Sequence, residues 1–480
     1  MDSIWTKSAA LPEFPMLDGD YEADVAIIGS GLAGMLTASF LRRAGAEVAV
    51  IEANRIGSGQ TAGTTAKLTA QHGLKYHQLT EDFGPEAAGQ YARANLAAVE
   101  RLRHLVREWD IDCDFEDCDS FLYTAGAPGP LEREYGACRA LGMDVYLTHD
   151  TELPFSALAL GLRNQARFHP LKLLAALADG LTIYEHSRVL DVEEGRVMVE
   201  GGSITAETVI FTCHYPFLNV PGYFFARQHQ ERSYVLALEG AKAMKGCYLG
   251  VEEDGLSFRS WGPYLLLGGG AHRTGDNRKG GKYEMLRQAA RRYWPQCREI
   301  AAWSAQDCIP MDGVPYIGRY ADNRPDWLVA TGFQKWGMSS SVAAAEILSA
   351  MALGQTPPAD SAVFAPHRFK AGASAQQLTE DAACSLKGLS KRFLEPGRIP
   401  ADHIPPGQGG VAEVDGEKLG VYRDEDGELH TIVPKCPHMG CQLEWNPDEK
   451  SWDCPCHGSR FDIYGRLLTG PAQTDLARTQ

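Results

Sequence analysis

Asp24-Val-Ala-Ile-Ile-Gly29-Ser30-Gly31-Leu-Ala-Gly34 opens as an unbroken apolar run and ends in three closely spaced glycines. Such a run reads as a strand buried on both faces. A helical pattern over 36–44 follows, and Glu47-Val-Ala-Val-Ile-Glu52 reads as a second buried strand. In this strand–turn–helix–strand setting each glycine has its own reason. Gly29 permits the tight turn, Gly31 lets backbone approach a pyrophosphate, and Gly34 lets the helix pack closely on the strand. The first N–H groups of the helix then face the phosphates. Glu52 closes the second strand, where a carboxylate can accept from ribose hydroxyls. The unit reads as dinucleotide-binding, and by itself it fits FAD and NAD equally.

The loop after Glu52 runs Arg55-Ile-Gly-Ser-Gly-Gln-Thr-Ala-Gly-Thr64-Thr65-Ala-Lys67 and is rich in glycine and hydroxyls. It can lie along a pyrophosphate and ribityl chain and donate hydrogen bonds to them. With the preceding turn, it resembles the flavoprotein family of D-amino-acid oxidase, glycine oxidase and sarcosine oxidase. Asp312-Gly-Val-Pro315-Tyr-Ile-Gly318 is similar to that family's Asp-Gly-x-Pro-x-Ile-Gly segment. A buried strand over 327–332 then leads through Phe333-Gln-Lys335-Trp336-Gly337-Met338-Ser339 into a helix over 341–353. The resemblance covers about residues 22–370. It implies FAD as cofactor, with Ser30, Arg55, Thr64 and Thr65 in its first loops. It places Gly332, Lys335, Trp336, Gly337 and Met338 at the flavin pyrimidine and the Val189 backbone at adenine. A helix N-terminus there favours negative charge on the reduced ring. No second glycine fingerprint follows a strand, so NAD(P)H is not expected as donor.

Between these motifs, 85–109 shows the apolar spacing of a long amphipathic helix, and 111–165 and 220–308 carry short β-like runs. The resemblance implies an antiparallel sheet roofing the flavin. In the amino-acid-oxidising relatives an arginine five residues before the Asp-Gly-x-Pro segment grips the substrate carboxylate; here that position is Asp307. A carboxylate cannot replace a guanidinium fork for an anion, but it can attract an amine cation. Asp307, His272 and Trp336 are the candidate catalytic residues, with Tyr234 and Arg273 as further candidates for the pocket.

Near the C-terminus stand Cys436-Pro-His438-Met-Gly-Cys441 and Cys454-Pro-Cys456-His457-Gly-Ser459. Each loop offers one thiolate and one imidazole, which suits a [2Fe–2S] cluster with one iron held by sulfur and the other by nitrogen. Tetrahedral Zn²⁺ also accepts Cys₂His₂, although zinc fingers usually separate like pairs. The spacing matches the Rieske motif. That resemblance implies Cys436, His438, Cys454 and His457 as ligands, a disulfide between Cys441 and Cys456, and a Ser459 hydroxyl donating to a cluster sulfur. Phe461 stands where the respiratory subfamily usually has a second donor, tyrosine. Fewer hydrogen bonds imply a potential below that of the respiratory proteins, within roughly −150 to +300 mV.

At 480 residues the chain exceeds one ordinary core. The expected fold is an α/β (α+β) flavoprotein with a Rossmann-like FAD domain and an antiparallel-sheet substrate domain, plus a C-terminal all-β Rieske domain. The expected order is an irregular leader over 1–22 and the flavoprotein over 23–370, with FAD portions near 23–84, 166–219 and 309–370 and substrate portions near 85–165 and 220–308. A helical connector over 371–411 and the Rieske domain over 412–480 follow. An apolar stripe over 374–393 predicts a docked connector helix, hence a fixed flavin–cluster geometry. A net charge of −16 argues against nucleic acid. No apolar run is long enough to span a membrane, and no signal peptide is evident, so a cytoplasmic location is expected. Eight cysteines outside the two loops are scattered and read as ordinary thiols. The expected function is oxidation of a small organic substrate, an amine fitting best. Electrons then pass singly from flavin through the cluster to an acceptor protein. The alternatives are an oxidase using O₂ with the cluster as redox sensor, and an electron-transfer adaptor without a small-molecule substrate.

Overall fold

A computed structural model of the protein describes residues 2–368, 399–400, 403–414 and 416–477. The predicted connector helix over 374–393 lies outside these residues.

The opening motif forms the strand Gly19–Ile28, the helix Leu32–Arg43 and the strand Val48–Ile51. These seed an eight-stranded sheet. Its parallel part runs, in spatial order, Arg324–Thr331, Gly202–Phe211, Gly19–Ile28, Val48–Ile51 and Thr182–Tyr184. The helix Gly337–Ala352 packs beside Leu32–Arg43. Its Ala343, Ala344 and Ala345 are buried, and such small side chains let the two backbones approach. Both helices therefore start at the same edge of the sheet, which places two positive dipole ends side by side.

A nine-stranded, mainly antiparallel sheet stands against this layer. At one edge Arg298–Pro310 pairs with Gln228–Glu239, which pairs in turn with Tyr264–Arg273. Two helices interrupt the middle section, Gly129–Ala140 and Lys282–Tyr293, where only β-like runs were expected. The second begins at Lys282, and Asp448, far along the chain, accepts from its first N–H groups (Gly281 N 3.1 Å, Lys282 N 2.9 Å). No local residue supplies that cap, so the local sequence gives no start signal.

The C-terminal region is all β, with two four-stranded sheets. The second comprises Glu444–Asn446, Ser451–Asp453, Arg460–Phe461 and Leu467–Thr469. Both Cys/His loops spring from it, one before its first strand and one between its second and third.

The opening residues correct the expected irregular leader. Ser3 caps a short helix, Ile4–Ser8, and Trp5 is fully buried. The Trp5 indole donates to Thr64 O (2.6 Å) and lies edge-on to His169 and Trp261. Five residues are too few to show a period, so only the tertiary contacts reveal the helix. Trp5→Ala is expected to cost about 3–5 kcal/mol. A urea unfolding curve with an unchanged midpoint would contradict this.

Candidate functional site

A cavity of about 600 Å³ opens between the two helix N-termini. Gly31 caps one helix, where Leu32 N donates to Thr61 Oγ1 (3.1 Å), and Trp336 caps the other without a side-chain hydrogen bond to its helix. Donors and positive dipole ends thus face the same space, as an anionic dinucleotide requires. Gly29 has φ +106°, and a Cβ there would meet Thr212 O at 2.8 Å. A Cβ on Gly34 would overlap the carbonyl of Gly29, so any side chain would push the helix off the strand. Glu52 lines the cavity with one carboxylate oxygen held by Ser30 N (3.0 Å) and Ser30 Oγ (2.8 Å). Ser30 is buried and positions Glu52 without reaching the cavity itself.

Gly29, Gly31, Glu52, Thr64, Val189, Asp307, Lys335, Gly337 and Met338 all line this cavity. Several expected residues do not. Arg55 turns outward to Glu13 (3.0 Å) and Glu185 (3.6 Å). Thr65 faces away, its carbonyl accepting from Arg259 (2.8 Å). Gly332 and Gly34 serve close packing. Trp336 stacks on His72, with centroids 4.8 Å apart, and borders a smaller cavity of about 320 Å³ beside Lys75 and Asp312. Asp307 sits opposite Glu231 across the strand pair. Burial pushes the Asp307 carboxyl up to about 7, with Lys335 pulling the other way.

His272, Tyr234 and Arg273 correct the expected substrate pocket. His272 Nε2 meets Tyr234 Oη at 3.0 Å, outside the cavity, and Arg273 donates to Pro455 O (3.2 Å). These strands meet the Cys/His loops because Tyr264–Arg273 ends where the C-terminal region docks. Gln230 and Gln306 belong to the same contact. Gln230 donates to His457 O (2.6 Å), and Gln306 donates to Gly458 O (2.7 Å) and to Gln230 (2.6 Å). At the centre Glu449 accepts from Arg232 (2.6 Å), Arg460 (3.1 Å) and Tyr283 (2.9 Å). Burial alone would raise the Glu449 carboxyl, but the two guanidinium groups outweigh it and hold the group near 2. Leu468 to Gln473 complete the cavity wall. Glu449 and Arg460 aside, these pairings join residues far apart in the chain and carry no sequence signal.

Within the two loops, Cys441 and Cys456 form a disulfide, so neither can serve as a thiolate ligand. Cys436 and Cys454 are buried free thiols in hydrogen-bond contact. The His438 and His457 rings lie 4.9 Å apart. His438 Nε2 meets Asn219 Oδ1 at 2.9 Å, while its Nδ1 is buried with no hydrogen bond. That Nε2–H bond fixes the tautomer and leaves Nδ1 as a free donor atom inside the loops. Two sulfurs and an inward imidazole nitrogen fit a [2Fe–2S] centre better than any hydrogen-bonded arrangement of the same atoms. Ser459 accepts from Ala472 N (3.0 Å), which frees its own O–H to donate toward Cys436. The imidazole of His457 faces the flavoprotein layer. His457 is 6% exposed and meets the Phe225 ring at 6.0 Å.

Residues 24–351 match the family described as FAD dependent oxidoreductase, and residues 398–480 match the Rieske [2Fe-2S] domain. The chain belongs to the FAD-dependent oxidoreductase family and carries a C-terminal Rieske domain. Its cofactors are FAD and a [2Fe–2S] cluster. YhfW of Bacillus subtilis (strain 168), named as a Rieske 2Fe-2S iron-sulfur protein, is 38% identical over 489 residues, covering 98% of this chain and 96% of that protein. The cytochrome b6-f complex iron-sulfur subunit 2 of Nostoc sp. is 40% identical over 88 residues, 17% of this chain and 49% of that one. Glycine oxidase from Geobacillus kaustophilus has the same flavoprotein fold (TM-score 0.63, 20% identity, 73% of this chain and 99% of that one). L-proline dehydrogenase from P. horikoshii does too (TM-score 0.62, 16% identity, 74% and 99%). Among the described residues no helix is long and apolar enough to cross a membrane.

Gly34→Ala is expected to lower bound flavin about tenfold, since overpacking here costs about 1–3 kcal/mol. Flavin absorbance per protein checks it. Glu449→Gln leaves buried Arg232 without a carboxylate, while Arg460 keeps Asp453 (3.0 Å), and is expected to cost about 3 kcal/mol near neutrality. A depressed carboxyl contributes its stability above its ordinary value of 4.5 and loses it as pH falls toward about 2. The gap in melting temperature between wild type and variant should therefore close across that window.

Proposed function

We propose that this chain is a dehydrogenase that oxidises a small organic amine and relays the electrons, through its Rieske domain, to a protein acceptor. When bound, FAD accepts a hydride and can release its electrons singly, and a [2Fe–2S] cluster accepts one at a time. The observation that carries the reading is Gln230: on the strand bordering the flavin cavity, it holds the carbonyl of His457 (2.6 Å). Cys436, His438, Cys454 and His457 are the proposed cluster ligands. Gly29, Gly31, Glu52, Thr64, Val189, Lys335, Gly337 and Met338 are the proposed flavin contacts.

The remaining chemistry belongs to side chains. The Rieske segment from Leu468 to Gln473 walls one side of the cavity, which lowers the share of water there and strengthens charge interactions on that side. Asp307 holds the amine cation, and Lys335 nearby limits how far burial neutralises that carboxylate.

Anaerobic reduction of the flavin by an amine, followed by the EPR signal of the reduced cluster, is the expected result. Reduced flavin beside a silent cluster would sink the relay, and a relay that works with photoreduced flavin but with no amine would mark the adaptor. Amine affinity should rise as pH climbs through about 7, where Asp307 ionises, and Asp307→Asn should flatten that profile. The loss above that pH should be about tenfold or more, the weight of a charge-assisted contact. Phe461→Tyr is expected to raise the cluster potential by about 60 mV, the one-electron equivalent of about 1.4 kcal/mol. A potentiometric titration with no upward shift would show that the added hydroxyl does not reach the cluster.

A further inference from the structure

On the nine-stranded sheet, away from both cofactor sites, Cys118 and Cys247 place their sulfurs 3.7 Å apart. They lie 129 residues apart in sequence, on the neighbouring parallel strands Glu116–Thr124 and Cys247–Gly250. Two cations face them, Arg259 buried and Lys67 half-buried. Arg259 is 1% exposed; its terminal nitrogens donate to the carbonyls of Thr65 and Phe168 (both 2.8 Å), and its Nε has no hydrogen-bond partner. Lys67 bonds the hydroxyls of Ser257 and Thr65. Among the described residues neither cation has a carboxylate within ion-pair distance, whereas neighbouring Arg167 has Glu116 at 2.6 Å. A buried and a half-buried positive charge without a carboxylate partner are costly, and the sulfur pair is the group placed to supply a counter-charge. The hydrogen bond from Cys118 and then the cations hold the Cys247 thiol below its ordinary value, against the effect of burial.

We propose that Cys118 and Cys247 form a redox-modification site, a dithiol that hydrogen peroxide converts to a disulfide. The Cys247 thiolate attacks one peroxide oxygen, the O–O bond breaks, and hydroxide leaves. Cys118 gives its proton to that hydroxide, and its sulfur displaces the hydroxyl group from Cys247. With one proton from solvent, the sulfur pair loses two electrons and both peroxide oxygens end as water. Half-buried Cys118 marks the approach. Oxidation removes the negative charge that Lys67 and Arg259 share, and both cations hold Thr65, whose neighbour Thr64 lines the flavin cavity. The disulfide therefore loosens that loop and weakens flavin retention. None of this depends on the identity of the substrate.

The test treats purified holoprotein with one equivalent of hydrogen peroxide, quenches in acid, alkylates the unfolded chain and maps the peptides. A Cys118–Cys247 cross-link, lighter by two hydrogens and reversed by a thiol reductant, should form before Cys113, Cys138, Cys213, Cys297 or Cys308 reacts. Cys118→Ser should abolish the cross-link. Flavin release from the oxidised protein should be about tenfold faster and should return to its starting rate on reduction. Recovery of Cys118 and Cys247 as free thiols after other cysteines have reacted would overturn the site. So would separate overoxidation of the two without a cross-link. An unchanged flavin release rate would overturn the coupling to the flavin loop. The mapping on wild-type protein decides the site even where the serine variant fails to fold.

Discussion

A single carboxylate, Glu449, held between Arg232 on the flavoprotein sheet and Arg460 on the Rieske sheet, fixes how the two cofactor layers meet. Buried ion pairs gain little net stability, because desolvation offsets attraction. Their effect is on uniqueness: any slip of the docking leaves a guanidinium group unpaired in a low-dielectric contact. Tyr283 and Ser304 take up the remaining lone pairs of Glu449, and Asp448, next to it, caps the helix Lys282–Tyr293. One hairpin of the Rieske region thus completes structure that the flavoprotein does not complete alone.

That docking decides which face of the cluster site turns toward the flavin cavity. Backbone carbonyls of His457 and Gly458 are met by two buried glutamines, and amide donors of that kind demand a definite register. Asn219 meets His438 from the other side. His457 is thereby enclosed and His438 half-buried, and the solvent-facing part of the first loop is left to Pro437 and Met439. The same contact forms one wall of the flavin cavity, so one set of polar pairings serves both that wall and the alignment.

Local chemistry made part of this legible in advance. Gly29 and Gly34 had to be glycine because backbone passes where a Cβ would stand. The Cys/His loops announced themselves because metal ligation needs particular atoms at short chain separations. Ser30 and Thr65 were drawn to the same region by their neighbours, yet they act by holding Glu52 and by anchoring to Arg259. His272 was misplaced because a strand's residues alternate between faces, and which end of a strand meets which domain is not a local property.

The sequence by itself determined the two cofactor chemistries and the order of the domains, since each rests on motifs a few residues long with steric or ligand requirements of their own. Only the tertiary structure decided how those parts face one another. Glu449 with Arg232, Gln230 with His457, Trp5 with Thr64 and Cys118 with Cys247 are contacts across large chain separations. Nothing in the spacing of such residues specifies a partner; the partner is selected when the sheets pack and buried polar groups must find what satisfies them.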